Sequence, residues 1–155
     1  MTSRRAGFTG IELLVVLVIA AVLLGIALPA FGRAQAARGA RNARDALFWL
    51  ASRARAAAIE RGTLAKLQID PAADRAWVLI GTTDTVARVD YTGEFQADVR
   101  LARTSGMLTL CYTPRGYART SCAFASGTLP DTATFTRGPH EARALIRPLG
   151  QVERL

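Results

Sequence analysis

The sequence predicts an α+β protein. One long N-terminal helix, transmembrane in its first half and amphipathic in its second, packs on a small antiparallel β-sheet domain. Three observations carry this. Residues 13–31 form an apolar run, and about nineteen such residues cross a bilayer as a helix. A helical spacing then continues with no further proline until Pro71. From residue 64 the period shifts to two, in short runs parted by Gly, Pro and Asp.

The first element begins at a charge. Arg4-Arg5-Ala6-Gly7-Phe8-Thr9-Gly10-Ile11-Glu12 leads straight into the apolar run. A carboxylate there is costly in lipid, so Glu12 is a functional candidate that needs a partner. Gly10 loosens the helix start by roughly 1 kcal/mol. An ordinary secretory signal would have an apolar stretch of about 7–15 residues and then a small-residue cleavage site; Ala34-Gln35-Ala36 offers one. The longer run, the Glu at its head and the helical pattern beyond it speak against that reading and against a plain single-span anchor.

In the second half of the helix, Leu47, Leu50, Ala54, Ala57 and Ala58 recur at three- and four-residue steps, the mark of one apolar face. Phe48 and Trp49 widen it, and the arginines lie mostly off it. Gly32 and Gly39 weaken the segment, and Gly62 ends it. Strands are predicted over 64–69, 76–80, 86–90, 99–103, 108–112, 132–136 and 144–147, with a last short one at Val152. Turns fall at 70–74 and 81–84. The helix stripe needs an apolar surface to cover, and the sheet supplies one.

The N-terminal motif resembles the class III signal of type IV prepilins and type II secretion pseudopilins. The resemblance implies that a prepilin peptidase cuts between Gly7 and Phe8, that the new amine of Phe8 is methylated, and that Glu12 is the family's fifth-residue Glu, which sets subunit register. Pro29 falls where pilins commonly carry a kinking proline; Gly10 stands where the family usually has Leu. The implied organisation is a leader (1–7), a transmembrane and assembly helix (8–31), an amphipathic helix (32–62) and a periplasmic β-rich domain (63–155). The later order resembles the GspH/FimT group: a helix ending Ala58-Ile59-Glu60-Arg61-Gly62-Thr63, then Trp77, Pro114-Arg115-Gly116 and a terminal hairpin with Gly150 near its tip. The implied function is that of a minor pseudopilin of the type II secretion system, a structural subunit of the pseudopilus. Its partners would be other pilin or pseudopilin subunits, the prepilin peptidase and inner-membrane lipid. The alternative is a FimT-like minor type IV pilin acting in pilus assembly or DNA uptake. DNA-uptake members carry Gly-Arg-x-Arg in the terminal hairpin. Here Gly150-Gln151-Val152-Glu153-Arg154 replaces the first Arg and adds an acid, so DNA is possible but not favoured.

The chain has 155 residues, with 20 basic and 12 acidic side chains and a net charge of +8. All the basic residues but Lys66 are arginine. Losing Arg4 and Arg5 with the leader lowers the net charge by two. This excess reads as solubility, or as an electrostatic footprint for an acidic partner such as DNA or anionic lipid. Arg4 and Arg5 place the N-terminus in the cytoplasm and the rest of the chain outside it, by the positive-inside rule; the resemblance implies that the outer compartment is the periplasm. That compartment permits disulfides. Cys111 and Cys122 flank the Pro114-Arg115-Gly116 turn and read as a disulfide in preference to two buried thiols. The single histidine, His140, follows Gly138-Pro139 and reads as an exposed loop residue. With no CxxC pair, neither metal nor cofactor is expected. Nothing resembles GxSxG, HExxH or a Walker loop, so an enzyme is not expected.

Overall fold

The computed structural model describes residues 10–81, 83–119, 122 and 126–155. The chain forms two compact units, residues 1–35 and 36–155. Helix α1 (Gly10–Arg61) makes up the described part of the first unit and opens the second.

The second unit has two antiparallel sheets. One contains β1 (Ala65–Asp70), β2 (Arg75–Ile80), β3 (Asp84–Asp90), β5 (Leu108–Tyr112) and β6 (Ala118–Arg119), in the order β3-β2-β1-β5-β6. The other contains β4 (Asp98–Leu101), β7 (Asp131–Arg137), β8 (His140–Ile146) and β9 (Val152–Arg154), in the order β4-β7-β8-β9. A short helix α2 (Tyr91–Phe95) links β3 to β4.

The α1 stripe folds as its spacing requires. Leu47, Leu50, Ala54, Ala57 and Ala58 are fully buried and belong to one core with Leu67, Ile69, Val78, Leu110, Phe135 and Ile146. Ala43, Ala51, Ala54, Ala57 and Ala58 of α1 all belong to this core. Trp49 departs from expectation: it is 54% exposed and lies outside the buried stripe.

Gly39 departs from it too. A methyl group there would stand 2.8 Å from the Phe95 carbonyl oxygen and 2.6 Å from Cδ of Arg137. This glycine is a close-approach point between α1 and the sheet end, not a weak link in the helix. Gly62 does end α1: its φ is +63°, and its N–H donates to the Ile59 carbonyl at 3.3 Å.

Strand β1 is central, flanked by β2 and β5. On its outer face the Trp77 indole donates to Gln68 at 2.6 Å, across the Gln68–Trp77 register pair. The hairpin of β7 and β8 closes through Gly138-Pro139, with Arg137 opposite His140 and Gly138 at φ +57°. A two-residue loop with glycine first suits the twist of the strands. Strand β8 therefore begins at His140 rather than at 144, and the expected loop histidine is the first residue of a strand. Its ring is half-buried, and Nε2 is buried with no hydrogen-bond partner among the described residues.

Candidate functional site

In the first unit the described helix is apolar all round. Ile11, the side chains of 13–19, Val22, Leu23, Leu24, Ile26, Leu28 and Phe31 are exposed. A helix with apolar residues on every side is a core or membrane element, and here no described residue of the unit covers it. It is the single described helix long and apolar enough to cross a membrane. At about 1.5 Å per residue, residues 13–31 rise close to the thickness of a hydrocarbon core. Glu12 lies in the first turn of α1, where a carboxylate is favoured by the positive end of the helix dipole. Gly7 and Phe8 lie outside the described residues.

In the second unit, two turns flank the last part of α1. The first follows β5. Thr113 N–H donates to the Tyr117 carbonyl and Gly116 N–H to the Thr113 carbonyl, each at 2.9 Å. Gly116 adopts φ +82° and faces Ile59 and Arg55 of α1. Cys111 and Cys122 are joined by a disulfide, with Cα atoms 6.4 Å apart. Nearby, Thr109 N–H donates to the Ser126 carbonyl, so the chain returns beside β5.

The second turn joins β8 to β9 and is pinned from below. The Tyr112 hydroxyl donates to the Gly150 carbonyl at 2.7 Å. Burial pushes that phenol up to about 12, although the nearby Arg55 acts the other way. Gly150 has φ +76°, and a methyl group on it would stand 2.5 Å from Cβ of Ala118. Glycine is required here by conformation and by packing.

The basic side chains of this hairpin are engaged internally. Arg147 pairs with Glu153 at 2.8 Å. Arg154 lies 3.4 Å from Asp45 of α1, and its guanidinium sits 5.4 Å from the centre of the Phe48 ring. Both contacts tie β9 to α1 within the unit. Sequence reasoning saw the acid beside Arg154 but not this tie, which depends on a helix turn 109 positions upstream.

No chemistry gathers around His140, and no cluster of three or more His, Cys, Asp or Glu side chains among the described residues could hold a metal. The buried carboxylate of Asp131 accepts backbone N–H groups of Arg103 and Thr104 at 2.9 Å and of Thr132 at 2.7 Å. It is a loop-holding group.

No protein-family model matches the chain, and no curated protein is similar to it in sequence. Among solved structures, the type IV minor pilin FimU of Pseudomonas aeruginosa (strain PAO1) is similar, with a TM-score of 0.51 at 12% identity. The similarity covers 74% of this chain and 91% of that one. A long N-terminal helix packed on a small antiparallel sheet domain is thus the architecture of this protein, and it matches the type IV pilin fold.

Proposed function

We propose that this chain is a non-enzymatic structural subunit of a pilus-like fibre, a minor pseudopilin of the type II secretion system. The observation that carries the reading is the joining of a pilin fold to an apolar helix with Glu12 in its first turn. A prepilin peptidase removes residues 1–7 at the Gly7–Phe8 bond, and the Phe8 amine is methylated. The helix anchors the subunit in the inner membrane with the folded unit in the periplasm, and later packs among the helices of neighbouring subunits. There Glu12 is neutralised by the charged terminal amine of a neighbour. A charge left unpaired in such a bundle is strongly destabilising, and pairing offsets that cost.

The second reading, a minor type IV pilin, is favoured by the likeness to FimU. Its DNA-uptake form finds little support in the terminal hairpin, where Arg154 is held by Asp45 and Phe48 and Arg147 by Glu153.

Glu12→Ala tests the assembly mechanism. In cells supplying a prepilin peptidase and the partner subunits, the variant should insert into the membrane at least as well as wild type, because a costly charge is gone. Its incorporation into fibres, read by crosslinking to neighbours, should fall severalfold. Equal incorporation would refute charge pairing at Glu12.

A further inference from the structure

Strand β1 carries a buried charge on the face turned away from the core. Successive side chains of a strand point to opposite faces. Ala65, Leu67 and Ile69 belong to the core, so Lys66 and Gln68 lie on the other face. Gln68 is half-buried there, yet Lys66, the single lysine of the chain, is only 7% exposed. Register sets Lys66 in a row with Leu79 of β2, Cys111 of β5 and Arg119 of β6. Cys111 is fully buried in that row, and its disulfide holds Cys122 against the same face.

A cleft of about 490 Å³ opens beside this row, within the range of about 300–1,000 Å³ typical of small-ligand sites. Gly62, Thr63, Leu64, Gly81, Cys111 and Pro114 line it together with Lys66. Lys66 is the one charged side chain among these described lining residues, and no carboxylate is among them. The two glycines leave the space open, since a methyl group on either would meet nothing within 4 Å. Leu64 is 40% exposed, so solvent reaches the cleft from that side. The surroundings carry the same sign. Arg115 follows Pro114, Arg119 stands opposite Cys111, and both are exposed. The acids of the adjoining segments, Glu60 and Asp84, are held by Arg53 and Arg61.

We propose that this cleft binds a small aliphatic carboxylate. The hydrocarbon body lies against Leu64, Pro114 and the disulfide, and the carboxylate meets the Lys66 ammonium. Water screens a buried ammonium less than an exposed one, so a carboxylate gains more by reaching it. Apolar walls with one well-placed polar group fix a ligand's orientation as well as its affinity. A cationic amphiphile is repelled by the same charge, and a neutral one forgoes the charge-assisted hydrogen bond. The site belongs to the folded unit and goes beyond the assembly reading without depending on it.

The single lysine makes the test selective. Lysine labelled with carbon-13 at Cε gives one side-chain resonance in the full-length chain, held in nonionic detergent at neutral pH. Octanoate should shift that resonance saturably, and octanol and octyltrimethylammonium should not. Leu64→Asp changes an exposed residue and sets a second anion in the cleft, so it should weaken octanoate binding by about tenfold or more. Lys66→Met keeps a long apolar side chain and removes the charge. Octanoate binding, read by saturation transfer to the ligand, should again fall by about tenfold or more. Micelles take up octanoate equally in wild type and variants, so that uptake cancels. Should Lys66→Met fail to fold, Leu64→Asp decides alone. No saturable shift, an equal shift with octanol, or an affinity unchanged in a folded variant would each overturn the proposal. A short peptide ending in leucine, active at lower concentration than octanoate and inactive when amidated, would assign the cleft to a chain terminus and overturn the aliphatic ligand.

Discussion

Tyr112 reaches from β5 beneath the β8–β9 turn, where its hydroxyl meets the Gly150 carbonyl. Its phenol is pushed up to about 12 by burial. An unfolded chain releases that proton near 10. The contribution to stability is therefore complete below pH 10 and is lost as pH rises from 10 to 12, because the unfolded state ionises first. Burial raises Tyr91 as well, with the same sign. Tyr112→Phe should cost about 1–2 kcal/mol at neutral pH, since the Gly150 carbonyl loses its donor. It should also flatten, without removing, the alkaline loss of stability. Urea unfolding of a fragment spanning 36–155, from pH 7 to 11.5, measures both; an unchanged alkaline slope would contradict this role. Asp90 works at the other limit. The Gly93 N–H and then Arg75 lower its pKa from 3.8 against some desolvation, so its contribution is present above that value and lost as pH falls below it. Single residues were the scale least legible in the sequence. Trp49 sits beside the apolar stripe in spacing yet faces out, because the burial face is set by where two sheets lie. His140 read as loop because Gly138-Pro139 was taken as a break and not as a two-residue hairpin.

At the scale of elements, the glycines of α1 separate two effects. By propensity alone, replacing a helical glycine with alanine stabilises by up to about 1 kcal/mol. Gly32 has open space around it, so Gly32→Ala should be neutral or mildly stabilising. Gly39→Ala should instead destabilise, by about 1–3 kcal/mol, because the methyl group meets the Phe95 carbonyl and Arg137. Thermal unfolding of the two variants side by side checks the opposite signs; stabilisation by Gly39→Ala would contradict the close approach. The Cys111–Cys122 bridge closes a loop with a sequence separation of 11. It should contribute about 2–3 kcal/mol by constraining the unfolded chain. Thiol labelling of the denatured, unreduced protein should find no free thiol, and two would refute the bridge. Most of these elements were legible. Strand β5 has the predicted bounds, and the other predicted strands shift by a few residues at their ends. Helix α2 and strand β6, with five and two residues, are too short for any periodicity to register. The N-cap of α2 is visible only in three dimensions, where Asp90 accepts from the Gly93 N–H at 2.9 Å.

For the whole molecule, the α+β class was legible because one helical stripe of alanine and leucine demands an apolar partner and alternating strands supply it. The junction of the β1–β2 turn, α2 and β4 was not legible, since Asp74 meets the Thr92 hydroxyl and the Val99 N–H only on folding. What the molecule does depends most on its N-terminus. The proposal that this is an assembling, peptidase-matured subunit requires that the chain begin at Phe8 in the membrane. Intact-mass measurement of the full chain, co-expressed with a prepilin peptidase and extracted from membranes, tests this most directly. The predicted species lacks residues 1–7 and carries one added methyl group on Phe8, and Gly7→Val remains uncut. A chain that stays full-length, or one cut after Ala36, would contradict it.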